Sequence, residues 1–121
     1  MTGPAIHHFE GLQRCVWAGI TWERAMWLHD DVTGRVSFVG WDITMVITGA
    51  DDAPLLTLTT DPGEGITLHD EGLQTEYFKP KLTPAQTTAL PDGKYEYLIT
   101  ASNGTDVMGL FAGRIEKRST V

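Results

Sequence analysis

Asp42-Ile43-Thr44-Met45-Val46-Ile47-Thr48 decides the fold. Ile43, Met45 and Ile47 alternate with Asp42, Thr44, Val46 and Thr48, so a period of two sets an apolar face against a mostly polar one. This is the pattern of a strand in an antiparallel sheet with one side on a core. Toward the N-terminus, Gly40 breaks a short run from Val36 to Val39, and His29-Asp30-Asp31-Val32-Thr33-Gly34 supplies turn chemistry that reverses the chain. Before that turn, Thr21 to Leu28 reads as one strand, with Trp22, Met26 and Leu28 on one face and Glu23, Ala25 and Trp27 on the other. Arg24 interrupts its apolar face as an inward, structural arginine.

Toward the C-terminus the same alternation returns. A turn at residues 49–54 leads to a Leu/Thr strand from Leu55 to Thr60 with Leu56 and Leu58 inward, closed by Asp61-Pro62-Gly63-Glu64-Gly65. Ile66 to His69 and Leu73 to Phe78 flank the hairpin signature Asp70-Glu71-Gly72. Lys79 to Leu82 leads out to the one helical turn, with Thr83 as N-cap and Pro84 as first helical residue. Lys94 to Ala101 places Tyr95, Tyr97 and Ile99 on one face. The Asn103-Gly104 pair predicts a type I′ hairpin into a long last strand from Val107 to Lys117. About eight strands with turn signals every 8–12 residues have the spacing of an all-β sandwich or barrel, and an antiparallel sandwich with one short helical turn near residues 84–89 is the expectation.

Composition agrees. The chain has 121 residues, one domain by size, and 41% hydrophobic residues with 4 Trp, 3 Tyr and 4 Phe are enough for a buried core. Its 13 glycines exceed the usual share and follow no collagen period. Gly34, Gly49, Gly72, Gly93 and Gly104 fall at strand junctions, whereas Gly109 and Gly113 fall inside the last strand, where a missing side chain lets another backbone approach. The predicted organisation is an N-terminal arm and first edge strand over residues 1–18, a sandwich over 19–118, and a C-terminal tail over 119–121.

Charge and residue usage narrow the function. A net charge of −7 argues against nucleic acid, which needs a basic surface to displace counterions. The charge is uneven: residues 1–113 carry −9 and the last eight carry +2, through Arg114, Lys117 and Arg118 against Glu116. Such a tail is a candidate electrostatic contact with an acidic neighbour, a second copy included. Cys15 is the single cysteine and sits in an apolar run, which excludes an intrachain disulfide and favours an inert buried thiol. No apolar stretch reaches the roughly 18 residues of a membrane span, and the Met-Thr-Gly-Pro start lacks the basic and apolar regions of a signal peptide. A soluble chain without membrane partner or cleaved export signal is expected.

Catalytic patterns are missing. There is no Gly-x-Ser-x-Gly elbow around Ser37, Ser102 or Ser119 and no phosphate-cradling glycine loop, since Gly63-Glu64-Gly65 is acidic and precedes a strand. His7, His8 and Glu10 point alternately on an extended segment, and the repeats His29-Asp30-Asp31 and His69-Asp70-Glu71 lack the regular oxygen ligands of a calcium loop. No enzyme activity, cofactor or metal is predicted. Trp27, on the face opposite Trp22 and continued by His29, is a candidate exposed contact. The candidate protein-contact residues are therefore Trp27, His29, Gly109, Gly113, Arg114, Lys117 and Arg118. A sandwich with Trp27 or Trp41 exposed is also compatible with carbohydrate stacking.

Three segments resemble a known group. Gly19-Ile20-Thr21-Trp22-Glu23-Arg24, then Val36 to Ile47, and then Leu82 to Tyr97 continued by Leu110-Phe111-Ala112-Gly113-Arg114-Ile115 are similar to the small immunoglobulin-like β-sandwiches of tailed-bacteriophage virions. These include the N-terminal domain of baseplate upper proteins and related head and tail proteins. Ile20 stands where such sequences often carry Asp, and Ser37-Phe38-Val39-Gly40 replaces their Asp-Leu-Thr-Gly. The resemblance implies an immunoglobulin-like sandwich in a non-enzymatic virion structural protein of the tail, baseplate or head–tail region. It implies synthesis in the bacterial host cytoplasm, residence in the virion, and assembly with other virion proteins and copies of itself through strand edges and the N-terminal segment. A capsid decoration protein is the nearest variant.

Overall fold

In a computed structural model, residues 15–30, 32, 34–49, 51–69 and 77–119 are described. In chain order the elements are β1 (Cys15–Trp17), β2 (Trp22–Glu23), β3 (His29–Asp30), β4 (Gly34–Arg35), β5 (Asp42–Thr48), β6 (Pro54–Thr59), β7 (Ile66–His69), β8 (Tyr77–Leu82), α1 (Pro84–Ala89), β9 (Gly93–Ser102) and β10 (Val107–Arg118). They form a sandwich: a five-stranded sheet in the order β1-β10-β9-β5-β6 faces a three-stranded sheet in the order β2-β8-β7, with β3 and β4 as a small separate pair.

The two predicted long strands organise the large sheet. Ile43, Met45 and Ile47 of β5 are fully buried, and antiparallel β9 sets Ala101, Ile99 and Tyr97 opposite them. β10 pairs antiparallel with β9, and a bulge between Gly109 and Phe111 turns two consecutive residues, Leu110 and Phe111, into the core. β1 joins β10 in parallel, whereas the other named strands pair antiparallel; an isolated parallel bridge also joins Thr59 to Gly65. Aromatic rings close the space between sheets: Phe78 meets Phe111 at 5.9 Å, and Phe38 meets Phe78 edge-on at 5.4 Å. Fully burying side chains of this size contributes roughly 1.5–3 kcal/mol each.

The helical turn forms as its sequence dictates. The Thr83 hydroxyl accepts from the Gln86 N–H while the Gln86 side chain accepts from the Thr83 N–H, a complete capping box with Pro84 behind it. Thr87 is buried and donates its hydroxyl to the Pro84 carbonyl.

Four local expectations are corrected. Residues 21–28 keep the predicted in-and-out alternation, with Trp22, Met26 and Leu28 buried and Glu23 and Trp27 exposed, but they are not one continuous strand. Arg24 N–H donates to the Pro80 carbonyl and Met26 exchanges two bonds with Phe78, yet Pro80 has no N–H to return, so the ladder is interrupted between them. Second, Lys79 to Leu82 is not a lead-out: β8 runs on through Pro80 to Leu82. Third, the run at Val36–Val39 is a loop after β4, from which Phe38 enters the core while Val39 stays outside.

The fourth concerns the turn before β10. A type I′ turn needs positive φ at both central residues, whereas Gly104 has it and Asn103 does not. Asn103 instead accepts the N–H groups of Thr105 and Asp106 on its side-chain oxygen and closes a longer loop. The hairpin turn foreseen at Asp70-Glu71-Gly72 lies outside the described residues, although β7 and β8 pair antiparallel on either side of it.

Candidate functional site

Two surfaces stand out, one on each sheet. The first is the outward side of the small sheet. Because Phe78, Pro80 and Leu82 are buried, Tyr77, Lys79 and Lys81 alternate to the outside. Across the β7 ladder Tyr77 lies opposite His69 and Lys79 opposite Thr67. The His69 and Tyr77 rings stack at 4.4 Å and 10°, and the His69 Nε2 lies 3.0 Å from the Thr67 hydroxyl. On the other side, Glu23 lies opposite Lys81 and its carboxylate is 3.8 Å from the Lys79 ammonium. The loop Asp61–Gly65 and the helix cap walls this face into an open groove of about 760 Å³.

The second surface is the flank of β10. β1 covers Glu116 to Arg118 only, so among the described residues Val107 to Ile115 have no strand on that side. The Arg118 carbonyl accepts from Ala18 N–H across this flank, and alternation along the strand then turns the N–H groups of Arg114 and Ala112 to the same open side.

The residues predicted as contacts are dispersed over the fold. Trp27 is 47% exposed, and the bridge between Met26 and Phe78 sets it alongside Tyr77 on the outward side of the small sheet. His29 is in β3, paired with Arg35. Gly109 lies opposite Thr100 beside the bulge. Gly113 serves this chain's own packing, because a Cβ there would fall 2.7 Å from the Tyr97 hydroxyl oxygen.

The basic tail is largely engaged within the chain. Lys117 is 2% exposed; its ammonium donates to the Leu90 carbonyl and lies 3.7 Å from Asp92. Arg118 pairs with Glu116 and sits 5.8 Å over the Trp17 ring. Arg114 is exposed, 3.8 Å from Glu96. Lys117 thus pins the exit of α1 to the last strand and is withdrawn from any partner.

The electrostatics follow this anchor. The Ser119 hydroxyl holds the Asp92 carboxyl below its usual range; burial opposes it, and the Lys117 charge adds a smaller effect in the same direction as Ser119. Burial pushes the Tyr95 phenol up, helped by Asp92, and its hydroxyl donates to the Pro91 carbonyl. Burial pushes Tyr97 to about 12, with the Arg24 charge pulling the other way. Glu116 raises Arg118. Cys15 is a half-buried free thiol.

Among the described residues no cluster of three or more His, Cys, Asp or Glu is placed to hold a metal. Residues His7, His8, Glu10, Asp31, Asp70 and Glu71 lie outside them. Trp41 packs partly buried against the core, whereas Trp27 is 47% exposed. The groove itself was absent from the sequence reading. Its signal is the alternation of Tyr77, Lys79 and Lys81, which a reading of Lys79 to Leu82 as a lead-out passes over. Compared with protein families, curated proteins and solved structures, the chain matches none.

Proposed function

We propose that this chain is a non-enzymatic structural subunit of a tailed-bacteriophage particle, in the tail, baseplate or head–tail region, working by protein–protein assembly. One observation supports it most: the flank of the twelve-residue strand β10 is open from Val107 to Ile115 among the described residues. An uncovered edge offers N–H and C=O groups to a further strand, and soluble proteins ordinarily cover or interrupt such edges. Val107, 71% exposed at its start, adds an apolar contact. Main-chain bonds from a neighbouring subunit give such a joint its affinity, and the alternate side chains give it specificity. The resemblance of residues 19–115 to virion sandwiches points the same way.

The test is incorporation. Purified particles of the encoding phage should contain the chain by mass spectrometry and imaging; its absence from them rejects the proposal. Ala112→Pro removes one N–H on the open side of β10 while leaving the bonds to β9 in place. It should abolish incorporation with little loss of thermal stability.

A further inference from the structure

We propose that the outward side of the β2-β8-β7 sheet is a binding site for a neutral oligosaccharide. Three observations carry this, and none depends on the β10 edge.

The first is a row of rings that crosses all three chain segments. The bridge between Met26 and Phe78 makes Trp27 and Tyr77 the next residues on neighbouring segments, and both alternate outward from buried partners. Tyr77 continues to His69 through the stacked pair. The stacked His69 and Tyr77 rings cover each other's facing sides, and Trp27, 47% exposed beside them, offers the ring surface that suits the C–H face of a pyranose.

The second is the polar lining beside that row. Thr67, Thr83 and Gln86 supply hydroxyl and amide groups, and Glu23 and Lys79 supply a fixed acceptor and donor 3.8 Å apart. His69 is the ring of the row that lines this groove, and a few placed polar groups beside it orient a ligand rich in hydroxyls. The volume of about 760 Å³ is in the range of small-molecule sites and is open along its length, as a chain of sugars requires.

The third is the charge balance. Glu23, Asp61 and Glu64 stand against Lys79 and Lys81 in the lining, so neither sign dominates. A polyanion needs an excess of cations to release its counterions. The balance therefore favours an uncharged ligand over nucleic acid or a sulfated or phosphorylated glycan.

The full chain, fluorescently labelled, is applied to an array of neutral and acidic oligosaccharides that includes glucan, mannan and chitin hexamers and a heparin hexasaccharide. The strongest neutral hit is then titrated calorimetrically. The expected result is binding to at least one neutral hexamer, weakened tenfold or more in Trp27→Ala and in His69→Ala, better retained in Trp27→Phe, and unchanged in Arg114→Ala on the other sheet. Melting curves establish that each variant is folded, and Thr67→Ala, at an exposed position, gives a second probe of the lining if a ring variant unfolds. Binding to no neutral oligosaccharide overturns the proposal, as does preference for heparin or binding indifferent to the Trp27 and His69 substitutions. Ala112→Pro should leave the titration unchanged, which separates this outcome from that of the assembly test.

Discussion

Replacing Gly113 with alanine puts a methyl group into occupied space. A Cβ at this position lies 2.7 Å from Tyr97 Oη, 2.8 Å from Cζ and 2.9 Å from Cε2, where optimal carbon contacts are about 3.5–4.0 Å. The phenol end of tyrosine would ordinarily swing aside, but Tyr97 is 4% exposed and belongs to the central core cluster, so its neighbours must move as well. Overpacking of this kind costs roughly 1–3 kcal/mol. Against it, Gly113 is not in the left-handed region, and alanine in an extended strand recovers about 0.5–1 kcal/mol of backbone entropy. From the midpoints of these ranges the net is a destabilisation of about 1 kcal/mol, a fall of roughly 4 °C in Tm for a domain of this size.

Thermal melts by circular dichroism and urea midpoints measure it. Gly49→Ala is the control: its nearest atom is the Leu55 Cδ1 at 3.1 Å, on a half-exposed side chain that can yield, so its stability should stay within about 0.5 kcal/mol of the parent. In a double-mutant cycle, Tyr97→Leu should relieve part of the Gly113→Ala cost, giving a coupling of about 0.5 kcal/mol or more. A Gly113→Ala protein as stable as the parent, or a cycle without coupling, refutes the argument that Gly113 exists to accommodate Tyr97.

Other perturbations separate the remaining contacts. Lys117→Met should cost roughly 1–3 kcal/mol because the Leu90 carbonyl loses its buried donor, whereas Arg114→Ala, which breaks an exposed pair, should cost under about 1 kcal/mol; equal urea midpoints for the two would contradict the anchor. Thr83→Ala removes the capping box and should lower stability by about 1 kcal/mol, read from the same urea titration. Tyr97 titrates near 12 in the folded chain and near 10 in the unfolded one, so the unfolded chain loses its proton first. Stability should therefore fall as pH rises from about 10 toward 12, and Tyr97→Phe should flatten that fall when denaturation is followed across the range.

Legibility divided along the range of the interactions. β5, β9 and α1 were readable because each depends on its own residues: the alternation of Ile43, Met45 and Ile47, the inward Tyr95 and Tyr97, and the Thr83-Pro84-Ala85-Gln86 cap. Lys79 to Leu82 read as a lead-out, yet β8 runs on through Pro80, whose missing N–H leaves the ladder to Arg24 incomplete. Asn103-Gly104 misled because the Asn103 side chain, and not its backbone, makes the turn. Lys117 read as a contact residue of a basic tail because its acceptor within the chain, the Leu90 carbonyl, is 27 residues away.

The sequence by itself determined that this chain is all-β with one capped helical turn, since period-two hydrophobicity and turn chemistry act between near neighbours. Only the tertiary structure decided which strands lie side by side. Pairing β1 with β10, crossing Trp27 to Tyr77 and His69, and drawing Lys117 under Leu90 all depend on contacts between distant residues. No local pattern encodes these contacts, because they form only once both sheets close over a shared core.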